Sequence, residues 1–120
     1  MKYLRTESKS MDNTKDDRYY LERIKSDLAF IIEQTKGKTQ HEIENNILLV
    51  DSIMFRIIQI AENNNRLTDD FKAQHSEIPW MAIRGMRNKI VHNYGVVDIS
   101  IVYDTVVNGI PMMFKMLQAI

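Results

Sequence analysis

The sequence predicts an all-α fold: an up-and-down four-helix bundle with an extra short helical turn and a kinked last helix. Three observations predict it. Apolar residues recur at intervals of three and four in four separate stretches, the pattern of helices that bury one face. Capping residues, glycines and a proline punctuate the joins between those stretches. No segment alternates apolar and polar residues over the length of a strand. Helices joined by short links then pack as antiparallel neighbours.

The first helix is expected from about Asp16 to Lys36, with Tyr20, Leu21, Ile24, Leu28, Ile31 and Ile32 as its stripe and Gly37 ending it. The second is expected from about Thr39 to Asn64. Thr39 with Glu42 three residues on reads as a capping box. Its stripe is Ile43, Ile47, Val50, Met54, Ile57, Ile58 and Ala61, and the run Asn63-Asn64-Asn65 disfavours continuation. Residues 67–75 read as a loop with a short helical turn capped by Thr68.

Ser76-Glu77-Ile78-Pro79-Trp80 opens the third helix, because proline is tolerated in a first turn and poorly later. It carries Met81, Ile83, Met86, Ile90 and Val91, with Trp80 as a core anchor, and fades between His92 and Gly95. Asp98 caps the fourth helix, about Ile99 to Ala119, whose stripe is Val102, Val106, Ile110, Met113 and Leu117. Pro111 inside it removes one backbone donor and predicts the kink. Met112, Met113 and Met116 read as adaptable core or interface filler.

At 120 residues the chain is expected to form one domain, residues 14–120, behind a flexible polar leader at 1–13 in which Met11 is an alternative start. The absence of cysteine excludes a disulfide framework and thiolate metal sites, and it suits a reducing cytoplasm. The longest uninterrupted aliphatic run, Ile47 to Val50, is too short to cross a bilayer, so no membrane partner is expected. Net charge is zero, which argues against a basic coat for nucleic acid. The distribution is uneven, however. No acidic residue falls between Glu77 and Asp98, whereas Arg84, Arg87, Lys89 and His92 all do, the pattern of a local anion site.

The chemistry concentrates in Arg87-Asn88-Lys89-Ile90-Val91-His92-Asn93-Tyr94. Arginine grips phosphate oxygens through its fork, and histidine titrates near neutrality and can move a proton. Asn88 can donate to a phosphate or orient His92, and Tyr94 can bind substrate, pack on His92 or staple a turn. Taken singly, each has a plainer use: a surface ion pair, a helix end, a packed ring. Five residues at about 100° each put Arg87 and His92 roughly 140° apart on a straight helix, so they do not share a face. Asn88 and His92 do, as do Arg84 and Arg87. Joint action therefore requires the helix to end near His92, or a second subunit to complete the site. His41 and His75 make no metal-ligand spacing, and there is no Walker A sequence or nucleophile elbow, so neither metal nor cofactor is expected.

The block Arg87-x4-His92-x-Tyr94, preceded by His75-Ser-Glu-Ile-Pro-Trp80 and followed by Val97-Asp98-Ile-Ser-Ile-Val102, resembles HEPN domains, and in detail the HepT-like branch with its Arg-Asn-x-x-x-His-x-Tyr form. Tyr103 stands where a tryptophan is common. The resemblance implies a helical homodimer whose two motifs face each other and a metal-independent endoribonuclease acting on RNA. It further implies the toxin of a toxin–antitoxin pair, partnered by an MNT-type minimal nucleotidyltransferase that transfers AMP to the motif tyrosine. Carried over by position, Arg87 and His92 are catalytic, Asn88, Arg84 and Lys89 support or bind substrate, and Tyr94 accepts AMP. The alternative is a non-catalytic module that binds nucleotide or RNA, dimerises, and docks the nucleotidyltransferase.

Overall fold

The computed structural model describes residues 16–92 and 96–120, and of His92 only the backbone. The leader at 1–13, with Met11, lies outside the described residues. Helix α1 spans Asp17–Thr35, and its N-cap, Asp16, accepts from the Tyr19 amide. Leu21, Ile24, Leu28 and Ile31 are buried as their spacing predicts. Gly37, at φ +73°, takes the left-handed turn that ends the helix. Asp27 shares the buried face. Its Oδ1 accepts from Arg56 Nη1 at 2.8 Å, and the Arg56 guanidinium lies 3.8 Å from the Phe30 ring centre.

The expected second helix is in fact two. Thr39 and Glu42 form the capping box, but α2 stops at Gln40–Glu44 and α3 runs Ile47–Arg66. At the break, Asn46 leaves the helical conformation and its side chain accepts from the Leu49 amide at 3.1 Å. Asparagine offers the backbone this alternative partner, and here it restarts the helix. The restart shifts the phase. Leu49, Ile53, Ile57 and Ile60 are buried, whereas Ile47 and Ile58, assigned to the stripe of an unbroken helix, are 73% and 37% exposed. Leu48 and Phe55 join them outside at 79% and 57%. The helix also passes through the asparagine run, because Asn64 Nδ2 donates to the Trp80 carbonyl at 3.1 Å and Asn63 Nδ2 to that of Gln59.

Thr68 caps the short α4, Asp69–Gln74, and its own amide and hydroxyl each donate to the Asp17 carboxylate at 2.7 Å. Helix α5 spans Trp80–Ile90 after Pro79. Trp80 is the expected anchor: it is buried, and its indole N–H is shared between the carbonyls of His75 and Lys72. Met81, expected on the stripe, is exposed, because Trp80 fills that side with Ile83, Met86 and Ile90.

Beyond α5 comes a miniature antiparallel hairpin, β1 at Val91–His92 and β2 at Val96–Val97, paired Val91 with Val97 and His92 with Val96. Two residues a strand are too few for an alternation to be read in sequence. The Asp98 amide donates to the Ile90 carbonyl at 3.0 Å and closes the base. Asp98 then caps the last helix through the Ser100 and Ile101 amides. That helix is continuous through α6, Ile99–Asp104, a π turn at Thr105–Gly109, and α7, Ile110–Gln118. The irregularity predicted at Pro111 thus falls one step earlier. A proline cannot bond the carbonyl four residues back and its ring crowds it, and the widened π turn makes room. Helix α1 packs against α3 and α7, and α3 against α5. The four long helices enclose one core, and no helix among the described residues is long and apolar enough to cross a membrane.

Candidate active site

The last two turns of α5 carry Arg84, Arg87, Asn88 and Lys89, all exposed. At 100° per residue, Arg84, Arg87 and Asn88 fall within an arc of roughly 100°, while Lys89 points about 160° from Arg87. The helix therefore groups the first three and sends Lys89 to another side. Asn88 Oδ1 accepts from Arg87 Nη1 at 3.2 Å, so Asn88 steadies the guanidinium. No carboxylate pairs with Arg84, Arg87 or Lys89 among the described residues. Their plainer use is also met in part, since Arg87 and Lys89 complement the carbonyl end of α5.

Arg87 has a further property that periodicity carries. It lies seven residues after Trp80, four after Ile83 and three before Ile90, which puts it on the core-facing arc. Packing alone would place an apolar side chain there. Because α5 ends at Ile90, within one turn of Arg87, the guanidinium reaches solvent at the end of the bundle.

The helix break required for joint action is present. Val91 is extended (φ −96°, ψ 120°) while its amide still donates to the Arg87 carbonyl. Arg87 thus closes the last turn, and His92 belongs to β1, opposite Val96. The two stand on different elements, so the 140° of a straight helix does not separate them. The His92 ring is outside the described atoms, and Tyr94, with Asn93 and Gly95, lies outside the described residues. Asp98, the first acid after the motif, is engaged at the start of α6. Among the described residues no group of three histidines, aspartates or glutamates is placed to hold a metal ion.

This arrangement offers an exposed cation on a steadied fork beside a strand that carries an imidazole, which suits a phosphodiester better than a carbonyl. A family model described as ribonuclease HepT-like matches residues 14–120. A protein of Caldanaerobacter subterraneus subsp. tengcongensis, provisionally named an RNase, is 32% identical over 106 residues, covering 88% of this chain and 95% of its own. One of Thermococcus cleftensis, provisionally named ribonuclease HepT, is 33% identical over 91 residues, covering 72% and 83%. A longer protein of Methanocaldococcus jannaschii, whose name joins a gamma-glutamylcyclotransferase to a provisional RNase, is 30% identical over 99 residues, covering 82% of this chain and 45% of its own. No solved structure matches the chain.

Proposed function

Since this chain belongs to the HepT-like ribonuclease family, we propose that it is an endoribonuclease whose reaction centres on Arg87 and His92. The observation that carries the reading is Arg87 itself: exposed, without a carboxylate partner among the described residues, and held by Asn88 where the helix gives way to the strand of His92. In the proposed mechanism His92 takes the proton from an RNA 2′-hydroxyl. That oxygen attacks the adjacent phosphorus, the P–O5′ bond breaks, the leaving 5′-oxygen takes a proton from water while His92 returns its own to solvent, and the product ends in a 2′,3′-cyclic phosphate. Arg87 stabilises the extra negative charge on the phosphorane. Because the nucleophile belongs to the substrate, the reaction needs no metal-bound water.

General-base catalysis of this kind contributes roughly 10²–10⁴-fold. Removing one preorganised charge stabiliser costs on the order of 10²–10³-fold, by analogy with oxyanion holes. A homodimer fits the same reading, for α3 presents Leu48, Phe55 and Ile58 to solvent within one arc, an apolar surface for a second subunit. We further propose the toxin role, with an MNT-type nucleotidyltransferase as antitoxin in the cytoplasm. AMP on Tyr94 would add negative charge and bulk beside the motif and repel RNA phosphate. The test is RNA cleavage by the purified chain in EDTA, beside His92→Ala and Arg87→Ala. Cleavage that resists EDTA and disappears in both folded variants supports the enzyme. Full cleavage by folded His92→Ala overturns it, and RNA binding with no cleavage by the native chain favours the binding module.

A further inference from the structure

We propose that the cleft between the α1–α2 turn and the π turn of the last helix is a separate binding site for a small aromatic anion. The cleft has a volume of about 470 Å³, within the range of roughly 300–1,000 Å³ common for small-molecule sites. It shares no residue with the Arg87 motif. Its apolar surface comes from Ile32 of α1, from Val106 and Val107 of the π turn, and from Pro111. Tyr103, half-buried one turn earlier on the last helix, adds an aromatic wall.

Two cations edge this apolar space. Lys36 and Lys38 are both exposed, flank the left-handed Gly37, and line the cleft. Among the described residues neither has a carboxylate partner and none that lines the cleft is acidic. Glu42, which feels the charge of Lys38, already accepts through Oε1 from the Thr39 amide at 2.8 Å. That bond, more than the charge of Lys38, holds its carboxyl below the usual range.

The π turn and the proline after it form one wall of the cleft. On it Val107 is 46% exposed, near Pro111 in the lining. Apolar floor, aromatic wall and cationic edge together select a ligand with a ring for a body and a phosphate or carboxylate for a head. A ring packs offset against Tyr103, and the head meets the lysines. The site does not depend on the ribonuclease reading, since none of its residues belongs to the proposed chemistry.

Phenyl phosphate, titrated into the full chain and followed by amide NMR shifts, tests the proposal, with inorganic phosphate and phenol as half-ligands. Phenyl phosphate is expected to shift the Gly37 and Val107 amides and to bind more weakly as salt rises. The Lys36→Ala/Lys38→Ala variant is expected to lose about tenfold in affinity, the scale of two exposed ion contacts. Val107→Asp, an exposed position, should block binding and remain folded. Arg84→Ala/Arg87→Ala should bind as the native chain does. Equal affinity for inorganic phosphate, undiminished binding in the lysine variant, or loss of binding in the arginine variant would each overturn the assignment. So would no amide shift at millimolar phenyl phosphate. If the lysines serve only the end of α1, their loss lowers the melting temperature and leaves affinity unchanged, which also overturns it.

Discussion

Arg87 occupies a helical position that packing alone would give to an apolar side chain, and the fold tolerates it because α5 stops at Ile90. Polar residues that break a local rule are where function concentrates. Arg87→Lys is expected to keep the charge and lose the fork, lowering RNA cleavage by on the order of tenfold to a hundredfold with an unchanged melt. Asn88→Ala, which frees the guanidinium from its 3.2 Å bond, is expected to lower cleavage by about tenfold, the scale of one modest hydrogen bond. Rate measurements at saturating RNA check both. A second charged residue tells the opposite story. Asp27 shares the arc of Ile24, Leu28 and Ile31, so its burial was written in the spacing, but periodicity counts apolar residues and passes over an acid. One of its oxygens is paired with Arg56, and the other is buried with no partner. Arg56→Met alone leaves that charge uncompensated and is expected to cost about 3 kcal/mol, a fall of over ~10 °C in melting temperature. Adding Asp27→Leu should restore most of it, and a calorimetric scan of the three chains decides.

Among the elements, those that declare themselves locally were legible. Thr39, Thr68 and Asp98 each cap the helix their spacing announced, and Gly37 ends α1 where it should. Asparagine was not legible, because the same side chain caps a helix locally in one place and bonds a distant carbonyl in the other. At Asn46 the side chain turns back to the Leu49 amide and starts a new helix. At Asn64 it reaches the Trp80 carbonyl sixteen residues on, and the helix continues. What separates the two cases is the carbonyl of Trp80, far from Asn64 in sequence. Asn46→Ala is expected to cost about 1 kcal/mol, measured as a lower urea midpoint with an unchanged slope. The capping box carries a pH dependence of known sign. The Thr39 amide holds the Glu42 carboxyl below its ordinary value, so its stabilisation is present above the usual carboxylate range and is lost as pH falls through the lowered one. A Glu42→Gln chain should lose less stability on acidification than the native one.

At the scale of the molecule, the bundle followed from four periodic stretches, while its surface did not. Reading α2 and α3 as one helix put Ile47 and Ile58 inside. The break turns them out beside Leu48 and Phe55. If the proposed homodimer uses this face, Phe55→Asp converts it to a folded monomer by light scattering and abolishes the proposed RNA cleavage with it. A dimer that persists in Phe55→Asp removes this face from the interface. The π turn bears on something else, the length of the chain. The buried apolar positions Val102, Val106, Ile110 and Leu117 step by four, four and seven. At 100° per residue those steps span an arc of about 80°, and the four, three and seven left by taking one residue out of Thr105–Gly109 span the same arc, so the core accepts either length. The last helix therefore carries a spare residue. Deleting Asn108 should leave the bundle folded, whereas deleting Ser52, which turns Ile53, Ile57 and Ile60 by about 100° relative to Leu49, should unfold it. What the surplus residue shapes is the wall of the cleft, so its loss should be felt there and not in the core.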